Sequence, residues 1–442
     1  MKLFPPDPKI KLYKQGFPEP DLFNRAAFGK QVSALVERIE DPMVIALDGQ
    51  WGSGKSYFLK CWVGAHILDK SNSAKTIYFD AFENDFLDEP LVSLTTVIGE
   101  RLKSDKKLAP IWETVKTAAR ILAVPTIRTL VSAGANYASG GAYKLAADAI
   151  ENAGSALADQ AEDFLKQEDG KRAAMKSFKE AITKLTNPKE GPPNKLVIAI
   201  DELDRCRPDY ALSMLEVIKH FFEVENVHFI LGVNLSELEN SVRARYGEGV
   251  AARKYLQKFI SVTMSLPNKV DQGGVKATTA LAYFKHMANE MELEHRLTKA
   301  VLVYLNRPSV SAGISIREVQ KILSEMALTP SIPEVLGRQF VIAGLLVMKV
   351  IASELYQKAL FSSLTIEDMQ KAFPARDLRT DERDDQSDRY FDVTWKTCLT
   401  AKSISSDVSH EVWRTWLRDQ PRLEIIPSLI RDYIEAFEIN AD

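Results

Sequence analysis

The sequence predicts an α/β fold: a parallel sheet flanked by helices, with a helical insertion in its middle and a helical C-terminal region. Three observations predict it. Short apolar runs of buried-strand type, Met43 to Leu47, Thr76 to Asp80, Leu196 to Ile200 and Val227 to Val233, alternate with helical patterns. The first run passes into a glycine-rich loop that opens a helix, and the third ends in Asp201-Glu202. Strands alternating with helices imply crossover connections, and hence parallel neighbours.

Residues 1–20 carry Pro5, Pro6, Pro8, Pro18 and Pro20 and read as an extended leader. The first part of the core, 21–103, opens with a helix between Asp21 and Glu40, where Phe28, Val32, Leu35, Val36 and Ile39 recur at spacings of three and four. The strand before the glycine loop follows, then a helix to about Leu68, a turn at Ser71-Asn72-Ser73, the second strand, and a helix from near Pro90 past Leu102. Residues 104–190 read as a helical insertion. It is rich in Ala, Ser and Gly from Thr117 to Asp159, with small residues from Ala119 to Ala153 spaced for close helix packing, and a charged helix from Gln160 to Leu185. Residues 191–267 complete the core. There Leu212, Leu215, Ile218 and Phe222 share a helical face, and Phe259 to Leu266 is expected to be the last strand. Residues 268–374 are expected to form a helical domain, 375–390 a charged linker, and 391–442 a helical tail whose Trp395, Trp413, Trp416, Ile425 and Tyr433 read as ordinary core.

The glycine loop reads Gly49-Gln50-Trp51-Gly52-Ser53-Gly54-Lys55-Ser56, a full match to G-x-x-x-x-G-K-[ST], the P-loop or Walker A pattern. Its glycines let the backbone turn its N–H groups toward one point, where the helix N-terminus adds partial positive charge suited to phosphate. Residues 49–56 with Tyr57 are the candidate nucleotide-binding set. Lys55 can reach the β- and γ-phosphates, and the Ser56 hydroxyl can ligate Mg²⁺. An apolar strand ending in Asp201 is the Walker B arrangement, which places Asp201 on the metal's water shell. Glu202 is the candidate group for orienting and deprotonating an attacking water. Asn234, ending the strand after Walker B, is read as a sensor of the γ-phosphate or water ahead of a plain helix N-cap. Ser315 and Glu318 have capping-box spacing. Arg317 between them is either a phosphate ligand or a solvated arginine.

Composition bounds these readings. A 442-residue chain suggests two or three domains, and 45% hydrophobic with 26% charged residues describes a globular protein. A net charge of −3 and the lack of an aromatic-basic groove weigh against a nucleic-acid motor. Three distant cysteines and six scattered histidines suggest neither disulfides nor zinc, so a reducing cytoplasm is expected. The N-terminus shows no apolar signal-peptide core. The stretches Thr129 to Tyr143 and Gln339 to Met348 fall short of the ~20 apolar residues of a spanning helix. Asn268-Lys269-Val270-Asp271 fits the guanine-reading NKxD pattern, but Asp201-Glu202-Leu203-Asp204 lacks the glycine of D-x-x-G, so it reads as coincidence.

These motifs together resemble the KAP family of P-loop NTPases over roughly 21–325. The resemblance rests on Asp21-Leu22 before a helix, Val44 to Ser56 with Trp51-Gly52 inside the loop, Phe79-Asp80-Ala81-Phe82, Ile200 to Cys206, Tyr255 to Ile260, and the Arg317 helix. In that family the insertion often holds transmembrane helices; here it is too polar to span. Asn234 stands where the family usually has Asp, and Phe23-Asn24 replaces a glycine-type turn. The resemblance implies an ATPase using ATP and Mg²⁺, working as a homo-oligomer with an arginine supplied across the interface. Arg205, Arg243, Arg245 and Arg253 are candidates, with Arg253 preferred. It further implies a partner effector, as in anti-phage systems of the Qat type. The alternative is a nucleotide-gated scaffold with little or no hydrolysis; Glu202 beside Asp201 favours the enzyme.

Overall fold

The computed structural model describes residues 2–6, 9–87, 89–102, 113–117, 173, 175–188, 193–221, 224–272, 275–332, 336–375, 385–399 and 425–436. Among these, β1 (Met43–Asp48), β2 (Lys75–Asp80), β3 (Leu196–Asp201), β4 (Val227–Val233) and β5 (Val262–Ser265) form one sheet in the order β2-β3-β4-β1-β5, every pair parallel. Both faces of β1 to β4 are covered, which is why they read as continuous apolar runs, whereas the edge strand β5 is partly exposed. On one face Val44, Ala46, Ile198, Ile200, Phe229 and Leu231 pack against α3 (Pro90–Leu102), α4 (Pro208–His220) and the 175–186 segment. On the other Ile45, Leu47, Val197, Ala199 and Ile230 meet α1 (Arg25–Arg38) and α2 (Lys55–Leu68). The alternation follows the two-residue period of a strand.

Register matters for function. Asp80 pairs with Asp201, and Asp201 with Gly232. The C-terminal ends of β2, β3 and β4 therefore lie level, next to the glycine loop that leaves β1.

After β4 come α5 (Leu235–Tyr246), α6 (Ala252–Leu256), β5 and an antiparallel hairpin of β6 (Lys269–Gln272) and β7 (Val275–Thr278). The hairpin opens the stretch 268–374 that the sequence assigns to a helical domain. Its strands are four residues each, too short for a periodic signal. The helical domain then runs through α7 (Thr279–Glu290), α8 (His295–Leu305), α9 (Pro308–Ser311), α10 (Ile316–Leu328), α11 (Leu336–Ile351), α12 (Ser353–Leu360) and α13 (Ile366–Ala372). Helix α14 (Asp385–Leu399) begins inside the stretch expected to be a linker. Its core-facing residues Phe391, Trp395 and Cys398 lie beyond the charge run, so the run hid the first turn. Trp395 is fully buried and its indole donates to the Tyr304 hydroxyl at 3.0 Å. Helix α15 (Ile425–Leu429) and the π-turn Ile430–Ile434 close the same core.

Most of the insertion, including the small-residue stretch, lies outside the described residues, as do Trp413 and Trp416. Of the rest, Val115, Phe178, Ala181, Ile182 and Leu185 join the sheet's core. No helix among the described residues is long and apolar enough to cross a membrane. Cys61, Cys206 and Cys398 are free and buried.

Candidate functional site

The loop between β1 and α2 is shaped by its glycines where the geometry demands them. Gly52 sits at φ +79°, a left-handed conformation that other residues reach at a cost. A Cβ there would also fall 2.9 Å from the Cβ of Arg317. The close approach has a purpose in the fold. The N–H of Ile316 donates to the Gly52 carbonyl at 3.0 Å, which seats the first turn of α10 on the loop. That turn is fixed by the expected capping box: Glu318 N–H donates to Ser315 Oγ, and Ser315 N–H to the Glu318 carboxylate.

Lys55 is buried, and its ammonium donates to the carbonyls of Gly49 and Gln50. Burial lowers its pKa; the carboxylates of Asp204, Asp201 and Asp48 oppose that shift. Asp201, 1% exposed, accepts from the Tyr78 hydroxyl at 2.7 Å. Burial pushes its carboxyl up to about 6 despite hydrogen bonds from Tyr78 and Ser56, and Glu202 and Asp80 push the same way. A buried carboxylate held at that value favours a nearby cation. Glu202 adopts φ 58° and begins the 3₁₀ turn Leu203–Arg205. Its Oε1 lies 3.4 Å from Ser56 Oγ and 2.9 Å from an Arg205 guanidinium nitrogen. Trp51 Nε1 donates to Asp204 at 2.6 Å, tying the glycine loop to the turn after β3.

These groups line one cleft of about 740 Å³. Gly52, Gly54, Lys55, Ser56, Asp201 and Glu202 line it together with Pro18, Pro20, Leu22, Phe23, Tyr57 and Met287. Polar, lysine-bearing groups beside apolar and aromatic ones in one cleft suit the phosphates and the base of a nucleotide. Ser56 and Asp201 fit a Mg²⁺ ion shared with phosphate oxygens, since both supply hard oxygen donors. No cluster of three His, Cys, Asp or Glu capable of holding a metal alone occurs among the described residues.

The structure sorts the remaining sequence candidates. Arg317 lines the cleft, on the exposed side of α10. Asn234 does not line it; its side chain accepts from Ser236 N–H at 3.2 Å and caps α5. The cap is the role the sequence ranked second, and the helix starting at the very next residue calls for it. Arg253 is exposed on α6, away from the residues lining the cleft. Arg243 pairs with Glu239 and Arg245 with Asp209, each at 3.0 Å, whereas Arg205 stands inside the cleft of its own chain. Lys269 and Asp271 of the NKxD match belong to β6, and Lys269 does not line the cleft.

Sequence reasoning missed two features. Arg25, 2% exposed, donates to the carbonyls of Ser53 at 2.7 Å and Gly54 at 3.0 Å, bracing the glycine loop from behind. An arginine opening an amphipathic helix carries no signal of burial; the hint was Asp21, which accepts from Ala26 N–H at 2.7 Å and fixes the approach to that helix. Asn24 takes φ 50°, so asparagine does there what a glycine turn would do. The second feature is the leader. Tyr13 accepts from Tyr78 N–H at 2.9 Å, Phe17 packs on Phe58, and Pro18 to Pro20 wall the cleft.

The chain is similar to the solved Aeropyrum pernix ORC2 protein in ADPNP–ADP complexes, with 13% identity and a TM-score of 0.35, covering 95% of this chain and 97% of that one. It is similar to a DNA replication initiation factor at 12% identity and a TM-score of 0.32, with 96% of each chain covered. No curated protein matches it. The model of the KAP family P-loop domain matches residues 25–371, spanning the glycine loop, the Asp201 strand and most of the helical domain. The chain belongs to the KAP family of P-loop NTPases.

Proposed function

We propose that this protein is a Mg²⁺-dependent ATPase. The observation that carries the reading is the convergence of Lys55, Ser56, Asp201 and Glu202 on one cleft that is also lined by apolar and aromatic side chains. Lys55 would hold the β- and γ-phosphates, and Ser56 and Asp201 the metal. When bound, Mg²⁺ neutralises charge on the phosphate oxygens. Glu202, beside both, would take the proton of an attacking water. Arg317 would add positive charge at the phosphates from the helical domain. Glu202→Gln is expected to keep ATP binding and to lower turnover by about 10²–10⁴-fold, measured as steady-state phosphate release. Wild-type turnover in that variant would sink the assignment. Lys55→Ala is expected to lose ATP binding.

Exposed Arg253 suits an arginine supplied to a neighbouring copy, so the working form is read as a homo-oligomer. Mass in solution of Glu202→Gln with and without Mg-ATP tests this. A cytoplasmic role driving a partner effector, as in anti-phage defence, extends the same reading by family resemblance.

One observation favours a second reading, a nucleotide-gated scaffold. Glu202 is paired with Arg205 at 2.9 Å, which holds the carboxylate away from the role of base. If that pair persists with ATP bound, hydrolysis is slow. Arg205→Ala then raises turnover, whereas in a working ATPase it leaves turnover unchanged or lower.

A further inference from the structure

In the sequence Tyr78 is one more large side chain in the apolar run of β2, and the structure gives its hydroxyl a task. The residue is 8% exposed, in the core between the sheet and α2. Register sets Tyr78 opposite Ala199, two residues before Asp201 on the neighbouring strand. Side chains of a strand alternate between faces, so Tyr78, Ala199 and Asp201 share one face of the sheet. The phenol spans that diagonal, and its hydroxyl donates to Asp201 Oδ2 at 2.7 Å.

The Asp201 carboxylate is thereby held at both oxygens. Its Oδ1 accepts from the Glu202 N–H at 3.0 Å. Gly232 of β4 passes so near that a Cβ there would meet the same Oδ1 at 2.6 Å. The last torsion of an aspartate is intrinsically broad, so contacts of this kind are what fix the direction of its oxygens. A hydrogen bond from a phenol to a carboxylate is short and strong for a neutral donor, because its acceptor is charged. Tyr78 is itself anchored. It lies on β2, an edge strand of the sheet, and its N–H donates to the Tyr13 hydroxyl of the leader at 2.9 Å. The Lys60 ammonium sits 5.3 Å from the centre of its ring.

We infer that Tyr78 is a positioning residue of the metal site: its hydroxyl sets the direction in which Asp201 presents oxygen to Mg²⁺. The inference rests on the reading of Ser56 and Asp201 as the residues that hold the ion. Mg²⁺ tolerates little departure from octahedral geometry, so a carboxylate free to turn binds it more weakly. Tyr78 does not line the nucleotide cleft, whereas Asp201 does. Any influence of the phenol on the metal therefore passes through Asp201. Hydrogen-bond partners behind a metal ligand are typically worth about 10–100-fold in metal affinity.

The test measures affinity of the full chain for a non-hydrolysable ATP analogue, once in Mg²⁺ and once in EDTA. The ratio of the two affinities is the metal's contribution, and it does not depend on the rate of hydrolysis. Tyr78→Phe keeps the ring and removes the hydroxyl. Its ratio is expected to fall about tenfold or more, with affinity in EDTA at the wild-type value. Asp201→Asn should lower the ratio at least as far, and Tyr78→Phe added to it should lower it no further, as two residues acting through one contact require. A wild-type ratio in Tyr78→Phe, with the ratio lost in Asp201→Asn, overturns the inference and leaves the metal reading standing. A wild-type ratio in Asp201→Asn overturns the metal reading and the inference with it. Equal falls in Mg²⁺ and in EDTA would mean that Tyr78 only supports the fold, and also overturn the inference. Melting curves report whether each variant folds. If Tyr78→Phe does not, Tyr13→Phe decides, because it frees the Tyr78 N–H and leaves the phenol in place. It should lower the ratio severalfold with affinity in EDTA unchanged, and a wild-type ratio there overturns the inference.

Discussion

Arg25 shows how much a single residue can contribute to a loop made mostly of backbone. Burial pulls its pKa down to about 10, so it stays charged at neutral pH while donating to Ser53 and Gly54. Arg25→Ala leaves those carbonyls unpaired and opens a hole beneath the loop. A loss of about 1–3 kcal/mol of stability is expected, with weaker ATP binding, readable from melting temperature and nucleotide titration. His228 makes a prediction in pH. It is fully buried on β4, and burial pulls its pKa down to about 4, against the hydrogen bond with the Ile39 carbonyl; Lys195 lowers it further. The folded state thus keeps it neutral, while the unfolded chain protonates it near 6.5. Its contribution to stability is complete above about pH 6.5 and is lost as pH falls toward 4, by on the order of 3 kcal/mol. Urea midpoints measured across that window should fall for the wild type and fall less for His228→Gln.

Among elements, α10 and the leader do the positioning. The capping box at Ser315 and Glu318 fixes the turn that seats Ile316 on Gly52 and sets Arg317 over the cleft. Ser315→Ala is expected to cost about 1 kcal/mol and to weaken ATP binding by displacing Arg317. The leader lies against α2 so closely that a Cβ on Gly64 would meet the Gln15 carbonyl oxygen at 2.0 Å. Gly64→Ala should therefore lift the leader and expose Tyr13 and Phe17. Faster proteolysis before residue 20 would be the sign, and an unchanged cleavage rate would count against this packing. Both elements reach the nucleotide cleft from outside the glycine loop and the acidic strand end.

At the scale of the molecule, the cleft is walled by the sheet's glycine loop, the leader, and the helical domain through Tyr283, Met287 and Arg317. Phe23, at the entry to α1, packs against Tyr57 of α2 and Tyr283 of α7, joining the two layers. Nucleotide binding should therefore slow amide exchange in α7 and α10 as well as in the glycine loop. Lys55→Ala should lose the effect in all three together. Protection confined to the loop would show that the helical domain does not close on the nucleotide.

The strands were legible because burial on both faces demands unbroken apolar runs. The meeting of Lys55, Ser56, Asp201 and Glu202 in one cleft was legible because the glycine-loop and acidic-strand patterns set those residue types at fixed places on adjoining elements. The short hairpin before α7 and the charged first turn of α14 escaped, since neither presents a periodic apolar face of its own. The sequence by itself determined the sheet, the glycine loop and the acidic strand end, each encoded by neighbours within a dozen residues. Only the tertiary structure decided that Arg25 braces the loop, that the leader walls the cleft, that Asn234 caps a helix and that Arg205 meets Glu202. Those outcomes depend on burial and distance between segments far apart in the chain, where local spacing carries no information.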